Sequence, residues 1–154
     1  MTLSREDASD DPLGGRCLDD ACWLLPDEDS ALTLAAREGL LTAESVWAPA
    51  HWRLEVCNAL CMAERRKRLD VTGIAQAVAL FTQLPVLLDP ETNARAGGET
   101  LALARQHKLS VYDAAYLELA LRRGASLASL DGPLRTVAKQ LGVPTQPQEL
   151  TGES

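Results

Sequence analysis

No apolar run in this chain approaches the roughly 18 residues that a membrane-spanning helix needs. The N-terminus, Met-Thr-Leu-Ser-Arg-Glu-Asp, lacks an apolar signal region, so secretion is not expected and a cytoplasmic protein is. Positive charge is also scarce. Fifteen Lys and Arg stand against 22 Asp and Glu, and the net charge of −7 has the wrong sign for a simple electrostatic binder of nucleic acid. A nuclease remains open, because a bound divalent cation offsets clustered carboxylates and bridges them to phosphate. Histidine is limited to His51 and His107, both read as surface or packing residues. The four cysteines (Cys17, Cys22, Cys57 and Cys61) lack the spacing of a zinc ribbon or knuckle, and are expected to be small core residues in a reducing compartment. There is no internal repeat and no low-complexity tract.

What is present suits one globular domain: 154 residues, of which 46% are hydrophobic. Residues 1–15 are dominated by Asp, Ser, Gly and Pro and read as an irregular or disordered segment, leaving a domain over 16–148. A helix is expected over 31–37, stopped near Gly39, and Ser45 to Ala48 reads as a short strand closed by Pro49. Trp52, Val56, Ala59, Leu60 and Ala63 recur at helical spacing within a helix of about Ala50 to Leu69, and a second helix follows from Thr72 to Gln83. Pro85 to Leu88 reads as a buried strand, with Asp89-Pro90 opening a helical stretch toward His107. Ser110 to Arg123 is a helix ending at Gly124, Leu127 to Leu130 a strand, and Asp131-Gly132-Pro133 opens a last helix. Short strands recurring between helices favour an α/β sandwich with a parallel sheet.

Three acidic residues stand in or beside apolar segments: Glu55, Asp113 and Asp131. A buried carboxylate needs a partner, and a divalent cation is one that several carboxylates can share. Each also has a simpler role open to it. Glu55 lies mid-helix in a row with Trp52 and Asn58, and could pair with Asn58 or sit on the helix surface. Asp113 closes a Ser110-Val111-Tyr112-Asp113 capping box, and Asp131 could be an N-cap. Asp89 has the same local form as Asp131 and is read as structural. The basic run Arg65-Arg66-Lys67-Arg68, with Arg53, reads as a solvated helix end or as a contact for phosphate or a partner.

Taken together, Trp23-Leu24-Leu25-Pro26-Asp27-Glu28, Trp52-Arg53-Leu54-Glu55-Val56-Cys57-Asn58, Leu109-Ser110-Val111-Tyr112-Asp113-Ala114-Ala115-Tyr116 and Leu127-Ala128-Ser129-Leu130-Asp131 resemble the PIN-domain endoribonucleases, specifically the VapC-type toxins of bacterial toxin–antitoxin pairs. The resemblance runs from about Leu24 to Gly142. It implies a three-layer α/β/α sandwich on a short parallel sheet, with a helical hairpin near Ala50 to Gln83. It implies Mg²⁺ or Mn²⁺ held by Glu55, Asp113 and Asp131, with Ser129 hydrogen-bonding near the site. The implied activity is metal-dependent hydrolysis of RNA by a homodimeric toxin that a cognate antitoxin protein inhibits.

The first acidic element departs from that pattern. The family opens with an apolar strand ending in Asp, and an ungapped match sets Arg16 in that place. Asp19, after Cys17-Leu18, is the better-placed substitute and Asp7 the weaker. In a third reading the first strand is absent and the site incomplete. Active endoribonuclease is the first expectation. The alternatives are an impaired remnant that acts only by binding a partner, and a hydrolase of another phosphoester using the same carboxylates.

Overall fold

The computed structural model of the chain describes residues 16–18, 38 and 45–147. The helix expected over 31–37 lies outside them, as do Asp7, Asp19 and Cys22; Glu38 alone of that stretch is described, and it is helical.

Five short strands form one parallel sheet: β1 (Arg16–Leu18), β2 (Val46–Ala48), β3 (Val86–Leu88), β4 (Ser126–Ala128) and β5 (Thr145–Gln146). Their order across the sheet is β3-β2-β1-β4-β5. The first strand is therefore present, and it is central. Arg16-Cys17-Leu18 has too little apolar length to announce itself, but it pairs on one side with β2 and on the other with β4. Strands on both flanks satisfy its backbone groups, so tertiary context overrides weak local preference.

Six helices are described: α1 (Trp52–Arg65), α2 (Val71–Gln83), α3 (Thr92–Arg95), α4 (Leu101–His107), α5 (Val111–Arg123) and α6 (Gly132–Gln140). The hairpin of α1 and α2 falls where the sequence places it. Trp52, Val56, Leu60 and Ala63 form the buried stripe of α1, and Trp52 meets Phe81 of α2 edge-on at 6.2 Å. Asp70 caps α2 by accepting from Gly73 N at 2.8 Å. In α5, Ser110 is the N-cap and Gly124, at φ +62°, takes the left-handed conformation that ends the helix. Every residue of α5 from Ala114 to Ala120 is buried, as in a helix packed on all sides. Right-handed crossovers, the near-universal choice for parallel strands, put the connections toward β3 on one sheet face and those toward β4 and β5 on the other, which gives the three-layer sandwich.

Three local expectations are corrected. β3 is an edge strand, with Leu87 and Leu88 exposed rather than buried. The helical stretch after Asp89 does not run evenly to His107. It begins at Thr92 and is broken by a wide π-type turn over Ala96–Thr100, where Gly98 leaves helical geometry. Cys57 and Cys61 are exposed free thiols on α1 rather than core residues, because the buried stripe of that helix passes through Val56 and Leu60.

Candidate active site

The connections leaving β1 and β4 run in opposite directions across the sheet, the switch in topology beside which open α/β sheets form their ligand crevice. Asp19 follows β1 in sequence, and Ser129 to Asp131 follow β4. α1 starts four residues beyond β2, held by Trp52 N donating to Pro49 O at 3.0 Å. With Trp52 buried as the anchor, Glu55 comes round half-buried and Asn58, one turn further, is exposed.

Glu55 is gripped from the other helix. Tyr116 of α5 is fully buried, and its hydroxyl donates to Glu55 Oε2 at 2.7 Å, across 61 residues of sequence. This is a short hydrogen bond to a charged acceptor, the stronger kind. His51 Nε2 lies 3.0 Å from Glu55 Oε1, off the alignment of a formed hydrogen bond, and pairs with it electrostatically when the imidazole is protonated. The His51 ring meets both Tyr112 and Tyr116 edge-on, each at 5.5 Å. The expected support for Glu55 from Asn58 is thus replaced by Tyr116, which no helical spacing could reveal.

Asp113 stands half-buried in the first turn of α5, where Ser110 Oγ accepts from its backbone N–H at 3.0 Å. The capping interaction predicted for Ser110 is present, and Asp113 also lines a cleft. That cleft, of about 610 Å³, is lined by His51, Leu54, Glu55, Asn58, Ala59, Tyr112 and Asp113. The structure therefore brings Glu55 and Asp113 together. Asp131 does not line this cleft. It is the N-cap of α6, with Oδ2 accepting from Leu134 N at 2.9 Å, and buried Ser129 Oγ accepts from Asp131 N at 3.1 Å. Among the described residues, no three His, Cys, Asp or Glu side chains are grouped closely enough to hold a metal ion. Even so, the two carboxylates and the amide that share the cleft with the His51 imidazole offer a hard cation oxygen ligands, with no thiol among them. Mg²⁺ in particular keeps several waters and needs only one or two protein carboxylates.

A second acidic group combines Asp89, read from the sequence as structural and found so, with Glu118, which sequence reasoning missed. Asp89, directly after β3, is 2% exposed, and Glu118 of α5 is also buried. Arg122 joins them. Its Nη2 lies 2.6 Å and its Nη1 3.2 Å from the two Asp89 oxygens, while its Nε lies 2.8 Å from Glu118 Oε1. Glu91 adds a 3.0 Å contact to Arg122, and Arg95 bridges Glu91 and Glu118. Thr92 Oγ1 is close enough to bond Asp89 Oδ2 at 3.1 Å and accepts from Ala50 N, tying together the loops after β2 and β3. Burial pushes the Asp89 carboxyl up, but the Arg122 hydrogen bonds, with Glu91 N–H and the Thr92 hydroxyl, outweigh it and hold the group below its ordinary value. Glu118, and then Asp89, hold the Arg122 guanidinium above its own. The signal was available: Glu118 interrupts an apolar run as Glu55 does, and Arg122 lies one helical turn on.

The model of the PIN domain family matches residues 17–140 of the chain. Among solved structures, the chain is similar to PAE2754 from Pyrobaculum aerophilum, at 23% identity and a TM-score of 0.62, over 86% of this chain and 84% of that one. At that identity the likeness concerns the fold. No curated protein matches.

Proposed function

The chain belongs to the PIN domain family, whose members are typically nucleases, and from that premise we propose that it is a metal-dependent endoribonuclease, the toxin of a VapC-type toxin–antitoxin pair. The observation that carries this reading is the meeting of Glu55 and Asp113 in one cleft, from helices far apart in sequence. Glu55 and Asp113 would hold Mg²⁺ or Mn²⁺, with Asp131 and Asp19 as the further ligands. Such a cation supplies charge to offset the in-line phosphoryl transition state and makes a bound water more acidic. The chain's own part is orientation. Tyr116 holds one oxygen of Glu55, Ser110 fixes the turn that carries Asp113, and Ser129 fixes the backbone of Asp131. A homodimer and an antitoxin belong to the same reading. Leu54 on α1 and Val71 on α2, each 75% exposed, supply apolar surface that partners would cover.

One observation favours a second reading, a remnant that acts only by binding a partner: Asp131 stands outside the cleft, and Arg16 occupies the strand position where the family pattern has Asp. A cleavage assay on single-stranded RNA in Mg²⁺ separates the two. The parent chain should cut, and Asp113→Asn should reduce cutting to background with unchanged thermal unfolding. Full activity in Asp113→Asn, free of contaminating nuclease, would sink the assignment, whereas an inert parent would favour the remnant.

A further inference from the structure

Among the aromatic side chains described, Tyr112 is the exposed one. Trp52, Phe81 and Tyr116 are buried, and Trp47 is half-buried with the Arg123 guanidinium 3.3 Å from its ring centre. Tyr112, at 64% exposure, lines the same cleft as Glu55 and Asp113. Its ring rests against a neighbour: the His51 and Tyr112 rings meet in a T-shaped contact with centres 5.5 Å apart, and His51 packs in turn against buried Tyr116. A ring held by its neighbours loses little freedom when something stacks on its open surface. From α1 the cleft receives Leu54, Ala59 and the amide of Asn58, a group with both donors and an acceptor. An aromatic face, aliphatic surface and an amide in one cleft suit a flat heteroaromatic group with a polar edge. None of the described lining residues is Lys or Arg, so the lining favours the uncharged face of a base over the phosphate beside it.

We propose that Tyr112 is a stacking platform for one nucleobase of a single-stranded RNA, with Asn58 placed to bond that base's edge. The inference rests on the nuclease reading and deepens it. Stacking on an aromatic side chain is the usual way in which proteins hold unpaired RNA bases, and it tolerates any base because each has a π-face. Sequence preference at this subsite would then come from Asn58 rather than from the ring.

The test uses short single-stranded RNAs carrying 2-aminopurine at successive positions, whose fluorescence falls on stacking. They are titrated in Mg²⁺ into the full chain bearing Asp113→Asn, alone and combined with Tyr112→Phe or Tyr112→Leu. Quenching at one position and full affinity are expected with Tyr112→Phe. With Tyr112→Leu the quenching should vanish and affinity should fall about tenfold or more, while the salt dependence of binding stays the same. Equal binding and quenching with Tyr112→Leu would overturn the proposal, as would an absence of quenching at every position, and either would leave the ring as an apolar contact for a protein partner. These outcomes separate from the parent's Mg²⁺-dependent cleavage. Cleavage without quenching sinks the platform alone, and quenching without cleavage sinks the nuclease reading.

Discussion

Among the described residues, two acidic groups are treated in different ways. Asp89 and Glu118 are buried and carry their own cation: Arg122 spans both, Glu91 joins from the surface, and Arg95 closes the ring. Glu55 and Asp113 are half-buried in an open cleft whose described lining contains no Lys or Arg, and Glu55 lies between the Tyr116 hydroxyl and the His51 imidazole. The first group has its charges matched and its hydrogen bonds made, so it can do little but hold β3, α3 and α5 together. The second lines an open cleft that an external cation can enter. An acid in an apolar segment is therefore not by itself a mark of chemistry; what separates the two groups is burial in a closed ion-pair cluster against a place on an open cleft.

The sharpest break in this contrast is Arg122→Ala. It leaves buried Asp89 and Glu118 with only the longer contacts of Arg123 and Arg95, at 4.0 and 3.7 Å, which should cost about 3 kcal/mol or more in urea unfolding while leaving the cleft's residues in place. The parent's acid limb reports the same group. Because the Asp89 carboxyl titrates below its ordinary value in the folded chain, the unfolded chain binds its proton first. The stabilisation is thus complete at neutral pH and is lost as pH falls below about 4. In Arg122→Ala that acid loss should shrink. A variant as stable as the parent would show that the Arg122 cluster is incidental.

Tyr116→Phe is the intermediate case, since it deletes one oxygen from a buried ring. If the hydroxyl sets the direction of Glu55, Mn²⁺ affinity should drop on the order of tenfold with only a small change in unfolding temperature. Unchanged affinity with intact folding would remove Tyr116 from the site. The smallest effect is expected at Glu91→Gln. This residue is exposed and its pairs with Arg95 and Arg122 are screened, so stability should move by less than about 1 kcal/mol and Mn²⁺ binding should not move at all.

Much of the frame was legible because it depends on local chemistry. The Ser110 and Asp131 caps, the Gly124 stop and the Trp52-Val56-Leu60-Ala63 stripe each follow from residues within one or two turns. The rest depends on distant partners. β1 exists because β2 and β4 flank it, although Arg16-Cys17-Leu18 is a poor strand by itself. Leu87 and Leu88 look like core residues until the sheet order places β3 at the edge. Glu55 was legible as an acid needing a partner, but Tyr116 as that partner was not, since the two are joined only when α1 and α5 cross. Asp131 shows the limit in the other direction: its local reading as an N-cap is what the structure displays, and its part in metal binding rests on the proposed function.

The central claim is that the cleft carboxylates, and not the Arg122-matched ones, take a divalent cation. The direct test is calorimetric titration of Mn²⁺ into the purified chain beside Asp113→Asn, Asp19→Asn and Glu91→Gln. Binding in the millimolar range or tighter is predicted for the parent and for Glu91→Gln, with loss in Asp113→Asn and weakening in Asp19→Asn. Absence of binding in the parent, or binding that Asp113→Asn leaves unchanged, would contradict the account.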